Sequence, residues 1–152
     1  MLNRFHRNDF TAVVVEDDDT TRTLLERLLS NMGAEEVLTA RDGAEGLRLV
    51  CQKRPNLVVC DLEMEPVDGL SLLGGVRAAM DPILAATPVF IFTGNKETAL
   101  LAKAKALKAA GYLIKPFNPK GFANYLAEAM AVRDKTRAAD EAGPDELELA
   151  EV

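Results

Sequence analysis

Glu16 and Asp17, Asp61, Thr93 and Lys115 each stand at the end of a short apolar run: VVV precedes the acidic pair, LVVC precedes Asp61, VFIF precedes Thr93 and YLI precedes Lys115. If the fold gathers these ends, three carboxylates share one crevice, and each pair about 4 Å apart repels by about 4 kcal/mol at an effective dielectric of 20. A cation is needed to hold them together. Lys115 supplies one positive charge, and an all-oxygen cluster with room for water suits Mg²⁺, which takes octahedral oxygen ligands and usually shares its shell with a phosphate. A magnesium ion, an ammonium and a hydroxyl can together contact all the equatorial oxygens of a transferring phosphoryl group, whose charge dominates the barrier. Asp61 is then a candidate nucleophile for an aspartyl-phosphate. Singly the residues say less: the EDDD run at 16–19 equally suits a solvated turn capping a helix, and strand-end acids such as Asp61 are common turn residues. Their coincidence at successive strand ends favours a site.

The elements that would position them are legible in the hydrophobic pattern. β-Branched or apolar runs at 11–15, 36–39, 57–60, 88–92 and 112–114 read as strands. Segments with helical spacing lie at 20–32, 44–52, 70–80, 97–109 and 120–132; in the first, Leu25, Leu28, Leu29 and Met32 form a continuous apolar stripe. Gly33, Asp42-Gly43, Pro55, Asp68-Gly69 and Gly111 mark boundaries. Strands alternating with helices imply right-handed crossovers and a parallel sheet covered on both faces, an α/β doubly wound (βα)5 domain over 9–133. Sites in such sheets lie beyond the carboxyl ends of the strands, where these five residues fall. Residues 1–8 are read as an N-terminal extension. Residues 134–152, with seven acidic and two basic positions, are read as a flexible acidic tail.

Composition removes several alternatives. A net charge of −6 argues against direct nucleic-acid binding. No apolar run is long enough to span a bilayer and the first ten residues lack a signal-peptide core, so a soluble cytoplasmic protein is expected. Cys51 and Cys60 lie in apolar segments with no CxxC or Cys/His spacing and read as buried free thiols. There is no GxxxxGK[ST] or GxGxxG, and the single histidine, His6, lies in the extension.

The motifs VVVEDDDTTR at 13–22, NLVVCDLEMEPVDGL at 56–70, FTG at 92–94 and GYLIKPF at 111–117 resemble the CheY-like receiver domain of two-component response regulators, of single-domain type. The resemblance implies a flavodoxin-like strand order 2-1-3-4-5. It also implies phosphorylation at Asp61, with Thr93 and Lys115 holding the phosphoryl group and Mg²⁺ held by Glu16, Asp17, Asp61 and the backbone carbonyl of Glu63. Thr93 and Tyr112 would form the switch, and the Lys115–Pro116 peptide would be cis. It implies a phosphoacceptor rather than an enzyme, loaded by a histidine kinase or histidine phosphotransfer protein and read by a downstream effector protein; a homodimer is among the assemblies it allows. Residues 134–152 cannot bury a core of their own, so a stand-alone regulator acting through protein contacts is expected. Two positions depart from the pattern: Glu16 stands where the family more often has aspartate, and Pro66 falls one place late. Two rival readings are an unphosphorylated pseudo-receiver interaction module, opposed by the intact Asp17, Asp61, Thr93 and Lys115, and a phosphohydrolase, for which Glu63 is an imperfect acid/base without a cap domain.

Overall fold

The computed structural model describes residues 10–64, 67–94, 98–116 and 118–141. In chain order the elements are β1 (Phe10–Val15), α1 (Asp19–Asn31), β2 (Ala34–Ala40), α2 (Gly43–Lys53), β3 (Leu57–Asp61), α3 (Gly69–Arg77), α4 (Pro82–Ala85), β4 (Val89–Thr93), α5 (Thr98–Ala106), β5 (Gly111–Ile114) and α6 (Pro119–Glu141). The strands form one parallel sheet in the order β2-β1-β3-β4-β5, the flavodoxin-like arrangement expected. Among the described residues, no helix is long and apolar enough to cross a membrane.

Successive side chains of a strand point to opposite faces, and the two cores follow that alternation. Val13, Val15, Val58, Cys60 and Ile91 pack with Val50 of α2, Leu72, Leu73 and Val76 of α3, and Ala104 of α5. Ala12, Val14, Leu57, Val59, Phe90 and Phe92 pack on the other face with Leu25 and Leu29 of α1 and Phe122, Leu126 and Met130 of α6. Among the described residues, the four fully buried phenylalanines, Phe10, Phe90, Phe92 and Phe122, all lie on the α1/α6 side. The opposite side closes by removing side chains instead: a Cβ at Gly46 would come within 2.7 Å of Val15 and Leu72, and one at Gly75 within 2.7 Å of Leu47.

Three differences from the sequence expectation have physical causes. Helix α3 stops at Arg77 instead of running to residue 80, because the chain turns into the short α4, where Asp81 caps the N-terminus and Pro82 takes the first turn. The Arg77 guanidinium fixes that turn, donating to the carbonyls of Leu107, Ala85, Thr87 and Lys108 at 2.8–3.0 Å. At the other end of the chain α6 continues through Glu141, into the stretch expected to be a flexible tail, since 133–141 holds Arg, Lys, Ala, Asp and Glu but no glycine or proline. Cys60 is buried as expected, but Cys51 is exposed: Val50 takes the core-facing position of α2, and the next residue lies about 100° around the helix. His6 lies outside the described residues.

Arg77 satisfies four carbonyls from two separate segments, so its removal should be costly. Arg77→Met should lower stability by about 3 kcal/mol in urea melts, the loss of several charge-assisted hydrogen bonds partly offset by water. Arg77→Lys should recover less than half, because a single ammonium cannot reproduce the guanidinium fork. Unchanged midpoints for both variants would show that solvent serves these carbonyls equally well.

Candidate functional site

The EDDD run divides between the helix and the crevice. Asp18 caps α1, its carboxylate accepting from the Thr21 amide at 2.8 Å and the Thr21 hydroxyl at 2.6 Å, and these hydrogen bonds hold its pKa below the usual carboxylate value. Asp19 pairs with Arg22, whose guanidinium also donates to the Glu16 carbonyl at 3.0 Å. The run therefore divides, Asp18 capping α1 while the carboxylates of Glu16 and Asp17 gather beside Asp61.

Glu16 extends β1 by one residue, its amide donating to Ala40 of β2 at 3.0 Å, and it is fully buried. Asp61 closes β3 and is 4% exposed, while Asp17 lies at the surface. Carboxylate oxygens of Glu16, Asp17 and Asp61 come within 4.8 Å of one another. Unit charges at that separation repel by about 3.5 kcal/mol per pair at an effective dielectric of 20. The answering charge is Lys115, whose ammonium donates to Glu16 at 2.8 Å and Asp61 at 3.1 Å. It is held there from two sides, by its backbone amide on the Thr93 carbonyl at 2.8 Å and by the Phe92 ring 4.8 Å from the ammonium.

Burial pushes the Glu16 carboxyl up to about 7; the Lys115 hydrogen bond opposes that shift without cancelling it. Burial acts to lower the Lys115 ammonium, but its bonds and charge interactions with Glu16 and Asp61 outweigh that effect and raise it. The lysine stays charged across the physiological range.

Thr93 ends β4, fully buried, one residue beyond the Phe92 that pairs with Asp61. Tyr112 is half-buried on the α5 side of the sheet. The register pairs Ile91 with Tyr112 and Thr93 with Ile114, so Thr93 and Tyr112 share one face as diagonal neighbours. The Tyr112 amide donates to the Tyr125 hydroxyl of α6 at 3.0 Å, and that hydroxyl occupies the place of a Gly111 side chain, since a Cβ there would lie 2.2 Å from it. The Lys115–Pro116 peptide is cis. Glu63, expected to offer its carbonyl, meets Asp61 through its amide, which donates to the carboxylate at 3.2 Å.

Two residues read in the sequence only as punctuation shape the site. The Gly69 amide donates to Leu62 at 3.1 Å, and a Cβ at Gly69 would lie 2.2 Å from the Asp61 carbonyl. Only glycine lets α3 begin this close to the acidic strand end. Asp68 caps α3 through the Ser71 amide and, with Asp17, Glu63, Met64, Leu70 and Leu100, lines a cavity of about 370 Å³ beside Asp61. The Asp-Gly pair seven residues after Asp61 was the available signal.

The donor set fits a hard divalent cation: it holds oxygens and no nitrogen or sulfur, and exposed Asp17 leaves a side open to water. A family model described as the response regulator receiver domain matches residues 12–127. The chain is 36% identical over 104 residues to "Regulator of RpoS" of Escherichia coli (strain K12), a match covering 68% of this chain and 29% of that protein. It is 31% identical over 106 residues to a "Probable chemotaxis protein CheY" of Rhizobium etli, covering 70% of this chain and 81% of that one. Among solved structures, the chemotaxis response regulator CheY4 of Vibrio cholerae superposes with a TM-score of 0.71 at 28% identity, over 78% of this chain and 97% of that chain.

The raised Glu16 pKa makes stability depend on pH in metal-free buffer. Between the ordinary glutamate value of 4.5 and about 7 the folded state holds a proton that the unfolded state has lost, so this contribution is complete below about 4.5 and fades as pH rises through 7. Glu16→Gln removes the titration and mimics the protonated form. The stability of wild type relative to this variant should therefore fall by up to about 3 kcal/mol between pH 4.5 and 8. A difference that stays flat across urea melts in this window would show that Glu16 is ionised throughout.

Proposed function

The chain belongs to the response-regulator receiver family, and from that premise we propose that it is a cytoplasmic phosphoacceptor in which Asp61 takes a phosphoryl group from a histidine kinase or histidine phosphotransfer protein. The observation that carries this reading is the meeting of Glu16, Asp17 and Asp61 with the ammonium of Lys115 at the carboxyl ends of the strands. A carboxylate oxygen of Asp61 attacks phosphorus; the new O–P bond forms as the N–P bond to the donor imidazole breaks, and the electron pair stays with the imidazole. Glu16, Asp17, Asp61 and the Glu63 carbonyl would hold Mg²⁺, which when bound supplies charge neutralisation for the phosphoryl oxygens.

The chain's own groups do the rest. The Glu63 amide orients the Asp61 carboxylate. Lys115, already 3.1 Å from Asp61, transfers its donors to a phosphoryl oxygen, and the Thr93 hydroxyl donates to another. The added charge of about −2 draws Thr93 toward the site, and the neighbouring Tyr112 moves with it, altering the surface around α5 and β5 that a downstream effector protein reads. The chain acts as a phosphoacceptor in this reading, with no substrate turned over. The proteins it matches include ones much longer than itself, so the effector is assigned by chemistry alone: a protein surface sensitive to the state of β5 and α5.

Incubation with acetyl phosphate and magnesium, followed by intact-mass measurement, tests the proposal. One acid-stable, base-labile adduct of about 80 Da is expected, absent with EDTA, absent in Asp61→Asn and strongly reduced in Asp17→Ala. An adduct persisting in Asp61→Asn would move the acceptor elsewhere. No adduct on the wild type with either acetyl phosphate or a phosphorylated histidine protein would leave an interaction module of the same fold.

A further inference from the structure

Helix α2 is capped partly by a loop from another element. Asp42 takes the amides of Ala44 and Glu45 on one carboxylate oxygen, at 2.7 and 3.1 Å, and the Gly46 amide bonds to the Asp42 carbonyl in the ordinary helical way. The amide of Gly43 leaves its own element and donates to the Val67 carbonyl at 2.8 Å. Orphan donors at a helix start must find partners outside the helical ladder, and for Gly43 the partner is the segment between Asp61 and α3.

The contact is backbone on backbone. A Cβ at Gly43 would lie 2.6 Å from the Asp68 carbonyl oxygen and 2.8 Å from both the Val67 carbonyl oxygen and a Val67 methyl. The φ of Gly43 lies outside the left-handed region, so space rather than conformation demands glycine here. Alanine would be the better helix former.

Neither side can yield freely. The Asp68 carbonyl also accepts from the Leu72 amide at 3.2 Å, and the next residue, Gly69, donates to Leu62 at 3.1 Å while lying against the Asp61 carbonyl. Leu62 and Met64 are buried, and between them the Glu63 amide reaches the Asp61 carboxylate at 3.2 Å. On the helix side, Gly46 already lies against Val15 and Leu72. Gly43, Asp68, Gly69 and Asp61 thus form a relay of backbone contacts, and close-packed structure transmits a displacement instead of absorbing it.

We propose that Gly43 is a positioning residue for the chemistry at Asp61. It seats the loop that carries Glu63 and Asp68, so that Glu63 presents its amide to the acceptor carboxylate and its carbonyl to the metal. This role rests on the reading of Asp61 as a phosphoacceptor served by Mg²⁺. Gly43 itself acts only through the loop, as a supporting group acts through a metal ligand.

The variant Gly43→Ala in the full chain tests this, with Ala44→Gly as control. Ala44 is exposed in the same turn, so its change weakens α2 through helix propensity alone. Mg²⁺ titrations of ¹⁵N-labelled protein without phosphodonor should show about tenfold weaker binding in Gly43→Ala, the lower range for loss of a group that supports a metal ligand. Binding in Ala44→Gly should match the wild type. In metal-free buffer the Glu63 amide of Gly43→Ala should exchange with water severalfold faster than that of the wild type. Val67→Ala opens the same contact from the loop side and alters neither core; it should move both readouts the same way by less, and it decides the matter if Gly43→Ala does not fold. An unchanged Glu63 amide in the folded variants, or a loss of Mg²⁺ affinity matched by Ala44→Gly, would overturn the proposal. A wild type that bound no Mg²⁺ would sink the phosphoacceptor reading instead, and the Glu63 amide would still decide whether Gly43 seats the loop.

Discussion

The arrangement at the carboxyl ends of the strands depends on where one ammonium group sits. Glu16 is fully buried, and without Lys115 it would keep only the Asp18 amide, at 3.4 Å, against the like charges of Asp17 and Asp61. The lysine is placed by backbone rather than by its own flexible stem: β5 lies beside β4, the Lys115 amide bonds to Thr93, and the Phe92 ring confines the ammonium. Glu16 is the nearer partner, at 2.8 Å against 3.1 Å for Asp61. The extra methylene of glutamate over aspartate is what carries a carboxylate from the end of β1 to the lysine. Any group on Asp61 that draws the ammonium toward itself therefore leaves Glu16 short of a counter-charge. Charge at Asp61 and protonation of Glu16 become coupled through a single lysine.

The sheet that carries these residues is asymmetric. Phenylalanines fill the α1/α6 side, whereas glycines at 46 and 75 bring α2 and α3 close on the other. Gly69 continues that economy of volume at the site, letting the start of α3 approach the Asp61 backbone. Helix α5 shares the second face, but among its described residues Ala104 alone is fully buried. The most firmly packed elements thus hold the acids, and the least enclosed helix is the one next to Thr93 and Tyr112. Low burial is the usual condition for an element that must move at small cost.

Much of this was readable before any coordinates. Asp61, Thr93 and Lys115 each follow an apolar run whose burial is dictated by a parallel sheet, so pattern and topology alone bring them to one edge. The division of EDDD was not readable, because Asp18 as a cap and Asp17 as a crevice residue differ only in backbone direction. Arg77 gave no signal either: it is one cation in GLSLLGGVR, and its partners are carbonyls from loops distant in sequence. Helix α4 is a single turn, too short for periodicity, though its Asp-Pro start is a recognised helix signature. The length of α6 was misjudged because acidic composition was weighed above the helix propensity of Ala, Arg and Lys.

The hydroxyl of Tyr125 on the Tyr112 amide has a consequence at the margin of the sheet. β5 is an outer strand, and an outer strand of a parallel sheet offers a row of backbone donors and acceptors to any extended chain that comes alongside. Here a donor in the middle of that row is already engaged by a side chain from α6, and the space beside Gly111 is filled by the same phenol ring. A foreign strand could add to this margin only after α6 had rolled away. One tyrosine hydroxyl thus guards the four-residue strand against templated association with other chains.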